Sequence, residues 1–120
     1  MDKPHKKLRG WQLGMDIALD IYKSTTDFPA EEKYGLISQM RRSAVSVPSN
    51  IAEGSARNSK KELINFLYVS SGSLSELDTQ LELAKRLGYL SHKQWNELDA
   101  KLTEEDKILC GLIKYQKESL

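Results

Sequence analysis

The stretch from Met40 to Lys61, MRRSAVSVPSNIAEGSARNSKK, holds most of the groups whose type and spacing could do chemistry. Glu53 has Arg57 four positions ahead and Asn50 three behind, so on a helix the three share one face. Such a set serves either as a surface ion pair or as a hydrogen-bonded network buried between helices or subunits. Arg41 and Arg42 are about 100° apart around a helix and cannot serve one contact. Together with Arg57, Lys60 and Lys61 they offer either ordinary solvated charge or a modest basic surface for the phosphates of RNA or DNA.

Other chemistries find no support. A di-metal carboxylate centre in a helical bundle needs Glu-x-x-His pairs, and neither His5 nor His92 has a glutamate three residues before it. Gly54, Gly72 and Gly88 stand singly, not in a phosphate-binding loop. Ser70-Ser71-Gly72-Ser73 lacks the lysine or elbow context of a nucleophile and reads as a place for close helix approach. Cys110, beside Leu109, reads as a small core residue. The expectation is no catalytic residue, no metal, no cofactor and no small-molecule substrate.

Four helices must position these groups. The first spans about Leu8 to Thr25 and stops before Asp27-Phe28-Pro29. The second runs from about Glu31 to Gly54 or Arg57. Ser59-Lys60-Lys61-Glu62 has the form of a capping box and opens the third, which ends near Leu87 with Gly88 suited to a left-handed stop. A second box, Ser91-His92-Lys93-Gln94, opens the fourth. In the third helix Leu63, Leu67, Ser70, Leu74, Leu77, Leu81 and Ala84 form a heptad seam with one polar break. The fourth answers with Trp95, Leu98, Leu102, Glu105, Leu109 and Leu112, again broken once. The short link Gly88-Tyr89-Leu90 makes these two an antiparallel hairpin with arms on the order of 40 Å. The expected fold is an all-α, up-and-down antiparallel four-helix bundle in one domain, residues 1–120, with residues 1–7 frayed.

The first helix has more apolar surface than one bundle needs. Trp11, Met15, Ala18, Leu19 and Tyr22 form one stripe, and Leu13, Ile17 and Ile21 a second. An amphipathic helix usually buries one arc of about 100°. The surplus predicts a second copy as cover, with Trp11, Ile17, Asn50 and Glu53 at the subunit interface. In the second helix Arg42, Ser46, Asn50, Glu53 and Arg57 make a polar stripe, while Met40, Ala44, Val47, Ile51 and Gly54 make another face. Pro48 removes one helical hydrogen bond and predicts a bend. The small residues around it predict close packing.

Composition is ordinary for a soluble domain: 29% charged, 39% hydrophobic, net charge +1. Residues 1–61 carry +4 and residues 62–120 carry −3, far from a strongly cationic nucleic-acid binder. No run approaches the roughly 18 apolar residues of a membrane helix, so no membrane partner is expected. The single cysteine cannot pair within the chain, which points to the reducing cytoplasm.

Several stretches resemble the bacterial four-helix-bundle family of 23S ribosomal RNA intervening-sequence proteins. They are Trp11, Ile21-Tyr22, Phe28-Pro29, Tyr34-Gly35-Leu36, Gln39-Met40-Arg41-Arg42, Ser46-Val47-Pro48-Ser49-Asn50-Ile51-Ala52-Glu53-Gly54, Arg57, Gly72-Ser73-Leu74-Ser75-Glu76-Leu77 and Leu87-Gly88-Tyr89. The likeness covers about residues 8 to 115, and Asn50-Ile51-Ala52-Glu53-Gly54 is its most specific part. Gly14, inside the first helix, and Met40 are mild departures. The resemblance implies a homopentameric bundle without an enzyme active site, and some similar bundles are implicated in binding nucleic acid and reverse transcriptase. Of its motif residues, Arg41, Arg42, Asn50, Glu53 and Arg57 could bind RNA or hold subunits together.

The expected function is a non-enzymatic homo-oligomer that binds structured or ribosomal RNA through Arg41, Arg42, Arg57, Lys60 and Lys61. With no stacking aromatics expected beside those arginines, recognition would rest on shape and charge. The alternative is a structural or protein-binding oligomer with no nucleic-acid role.

Overall fold

A computed structural model describes residues 1–120. The fold is all-α: α1 (Arg9–Thr25), α2 (Leu36–Ser55), α3 (Lys60–Arg86) and α4 (His92–Glu118), with no strand. The molecule measures 45 × 25 × 21 Å. Its length matches the roughly 40 Å rise of a 27-residue helix. No helix is long and apolar enough to cross a membrane.

Local chemistry sets the helix ends. Ser59 Oγ accepts from Glu62 N at 3.2 Å, but Glu62 does not return the bond, so only half of that box forms. The Ser91–Gln94 box is complete, with bonds of 3.1 and 2.9 Å. Gly88 takes φ +81, and Tyr89 N closes back onto Ala84 O at 3.0 Å, which stops α3. The second helix starts later than Glu31. Pro29 leads into a 3-10 turn over Ala30–Glu32, and Gly35 at φ −111, ψ −112 breaks the path before Leu36. Glu32 serves both sides of that break: Oε1 accepts from Leu36 N and Oε2 from the Tyr89 hydroxyl. Within the segment expected to fray, Pro4–Lys7 form a 3-10 turn, and Gln12 Nε2 donates to Lys6 O.

Both heptad seams point inward. Leu67, Leu77 and Leu81 of α3 and Leu109 of α4 are fully buried, joined by Ile17 and Ile21 of α1 and Met40, Ala44 and Ile51 of α2. Van der Waals contact decides how near α2 and α3 lie. A Cβ on Gly54 would stand 2.8 Å from Phe66 Cβ and 3.3 Å from Leu63 O, so only glycine fits. Polar bonds add to the pair: Ser70 Oγ donates to Val47 O at 2.8 Å, and the Ser46 and Ser73 hydroxyls are 2.8 Å apart. The polar break in the α3 seam is therefore a bond to α2. α2 continues through Pro48, whose ring faces Gly14 of α1.

Candidate functional site: the α1–α2 face

The two apolar stripes of α1 part company. Ile17 and Ile21 are in the chain's own core, with Leu13 half-buried against it. Ile17, expected at an interface, is therefore a core residue, because its stripe faces α2 and α4 rather than solvent. Met15, Leu19 and Tyr22 of the other stripe are exposed, Leu19 by 55%, and Trp11 is half-buried. They border a groove of about 350 Å³ whose far wall is Val45, Pro48, Ser49 and Ala52 of α2. Seven of its nine lining residues are hydrophobic, so an apolar cleft lies open along α1–α2.

The polar side chains on and just past α2 have three tasks. Asn50 Nδ2 donates to Ser46 O and Oγ at 2.8 and 2.9 Å, which joins it to the Ser46–Ser73 contact with α3. Arg57 Nη2 reaches Glu53 Oε1 at 2.7 Å on the surface, with its guanidinium over the Phe66 ring. Within the single chain the contact is a surface ion pair, and Asn50 takes no part in it. Arg41 donates from Nε to Thr25 Oγ1 at 3.0 Å and from Nη2 to Tyr22 O at 3.3 Å, tying α2 to the end of α1.

The five candidate cations do not make one patch. Arg41 and Arg57 are sixteen positions apart on and just past α2, about 24 Å along a helix axis. At the far end Lys60 Nζ donates to Ser119 O and Oγ, while Lys61 is exposed. At the near end Arg41 and Arg42 meet Lys33 and Tyr34, neither of them a site candidate from the sequence, around a cleft of about 670 Å³. Tyr22 also lines it, with the Arg41 guanidinium 4.6 Å from its ring centre. Tyr34 is 88% exposed. The expectation of no stacking aromatics beside the arginines is thus corrected. Tyr34 lies in the turn before α2, outside any helical period that links it to Arg41.

Two further placements differ from expectation. Cys110 is exposed, because the α4 seam buries Leu109 and turns the next position outward. Glu105, the polar break in that seam, is fully buried with neither carboxylate oxygen hydrogen-bonded. Burial pushes its pKa up to about 8, so the side chain is held as the neutral acid. His5 and His92 pack near Trp11 and Trp95, and no group of three or more His, Cys, Asp or Glu side chains is placed to hold a metal ion.

The family model for the 23S rRNA-intervening sequence protein matches residues 6–111, nearly the whole chain. The chain belongs to the 23S rRNA-intervening sequence protein family. A solved structure of a protein with unknown function from the S23 ribosomal protein family, from Bacteroides thetaiotaomicron VPI-5482, superposes with a TM-score of 0.80. It is 24% identical, and the match covers 88% of this chain and 95% of that one. No curated protein matches the chain. For this chain the likeness shows the four-helix fold, while the α1–α2 groove and the Tyr34 cleft are read from its own residues.

Proposed function

We propose that this protein is a non-enzymatic scaffold: an up-and-down antiparallel bundle whose copies join through the α1–α2 groove and together bind nucleic acid, RNA foremost. One observation carries the reading. The α1–α2 face has an uncovered apolar groove, and the cleft at the start of α2 shares Tyr22 and Val45 with it and is lined by cations without a carboxylate. Apolar surface of that kind is normally covered in a working protein, and unpaired cations beside it attract phosphate. The family resemblance implies five copies. Repetition around a symmetric assembly would multiply a modest basic surface into a substantial one.

Arg42 and Lys61 are the cations most available to a ligand, since both are exposed and neither enters an ion pair. Filter binding of a mixed-sequence RNA at two salt concentrations tests the reading. Affinity should fall steeply with salt, and Arg42→Ala with Lys61→Ala should weaken all sequences alike. Absence of binding at low salt would remove the nucleic-acid role.

The second reading, an assembly with protein partners only, draws on a different observation. Arg41, Arg57 and Lys60 all make contacts within the chain. A stable oligomer that leaves RNA unbound at low salt would select it.

A further inference from the structure

The cleft at the start of α2 combines cations with open aromatic rings. Lys33, Arg41 and Arg42 line it, no Asp or Glu does, and none of the three takes part in the chain's ion pairs. The two hydrogen bonds of Arg41 use Nε and Nη2 and leave Nη1 without a partner inside the chain. Its guanidinium is thus anchored against Tyr22 while still presenting charge to the cleft. Tyr34 sits in the turn before α2 with Lys33 Nζ 5.5 Å from its ring centre, and most of the ring is open to solvent.

We propose that this cleft takes a short single-stranded segment of nucleic acid, one base lying on the Tyr34 ring and neighbouring phosphates held by Arg42 and Lys33. The proposal rests on the nucleic-acid reading above and narrows it to one site and one form of ligand. In a duplex both faces of each base are covered by its neighbours, so only an unpaired base offers a face to a tyrosine. The positive lining selects a polyanion, and the exposed ring selects one with flat bases. Ile37 supplies apolar contact between the two. An acidic peptide would satisfy the cations and leave Tyr34 idle. A volume of about 670 Å³ is on the scale of small-ligand sites, roughly 300–1,000 Å³, which suits a strand and not a helix groove.

Fluorescence anisotropy on the full chain at low salt tests this, using a labelled mixed-sequence single strand and the same strand annealed to its complement. The single strand should bind about tenfold tighter than the duplex. Tyr34→Leu should lose about tenfold of that affinity and Tyr34→Phe should keep it, as stacking on an aromatic face requires. Lys114→Ala, exposed on α4 towards the end where Lys60 meets Ser119, should change little. Polyglutamate should not displace the strand at matched charge. Equal binding of strand and duplex, no effect of Tyr34→Leu, or displacement by polyglutamate would each overturn the cleft assignment, with the general nucleic-acid role intact. No binding of either form would remove both.

Discussion

Gly14 of α1 and Glu105 of α4 lie so close that a Cβ on the glycine would stand 2.9 Å from the carboxylate Oε2. The same Cβ would meet Pro48 of α2 at 3.3 Å. One turn earlier, Gly10 leaves room beside Oε1 at 3.8 Å. Two glycines on α1 thus make the space in which a buried, unpartnered acid sits, and Gly14 also makes room for the proline of α2. The Gly14 departure from good helix-forming sequence is explained by what it faces.

Gly14→Ala should therefore destabilise the fold. Alanine favours the helix by about 1 kcal/mol, but crowding into a packed site costs about 1–3 kcal/mol. Urea unfolding should show a net loss of about 1 kcal/mol. Adding Glu105→Ala should relieve the clash, so the two changes should not be additive. Simple additivity would show that the contact has no energetic weight.

Glu105 also makes stability depend on pH. Its pKa rises from 4.5 when unfolded to about 8 when folded. Below pH 4.5 both states hold the proton and the fold keeps its full stability. From there to about pH 8 only the unfolded chain ionises, so stability declines, by on the order of 5 kcal/mol in total. Above that window the term is constant. In Glu105→Gln the decline across this range should largely vanish, since a glutamine carries no titrating proton. An unchanged slope in the variant would contradict the assignment.

Gly54→Ala tests the α2–α3 contact. The new methyl would press on Phe66 Cβ at 2.8 Å and on the Leu63 carbonyl at 3.3 Å, and backbone yields less readily than a side-chain tip. A loss of about 2 kcal/mol or more in denaturant unfolding is expected, since overpacking outweighs the helix gain. Unaltered stability would mean that α3 moves away at no cost.

Glu53→Ala should do little to the single chain. Its pair with Arg57 is exposed on both sides, and such helix-surface pairs contribute about 0.3–0.5 kcal/mol. Thermal unfolding should shift only slightly. A large loss would show that Glu53 is covered in the assembled protein.

What the sequence made legible follows from what period and local chemistry encode. The heptad leucines of α3 and α4, the Ser91 cap and the Gly88 stop each depend on near neighbours, and all take their expected places. The late start of α2 depends on Gly35 overriding a run that otherwise reads as helical. Ile17 and Trp11 share a helix that is apolar on two sides, and sequence alone does not say which side meets the core. Glu105 reads as an isolated polar break in sequence, and the space it occupies is left by Gly10 and Gly14, distant in the chain. Tyr34 joins Arg41 and Arg42 only because the turn before α2 folds it over their cleft. Each gap is a tertiary meeting that periodicity does not carry.

The proposed role requires a second copy to cover the groove between Trp11 and Leu19 of α1 and Val45 and Pro48 of α2. Sedimentation velocity on the wild-type chain and on Leu19→Asp measures this most directly. The wild-type mass should be a multiple of 13.7 kDa and that of Leu19→Asp lower, with helix content unchanged by circular dichroism. A wild-type protein that remains a single 13.7 kDa chain at high concentration would contradict it.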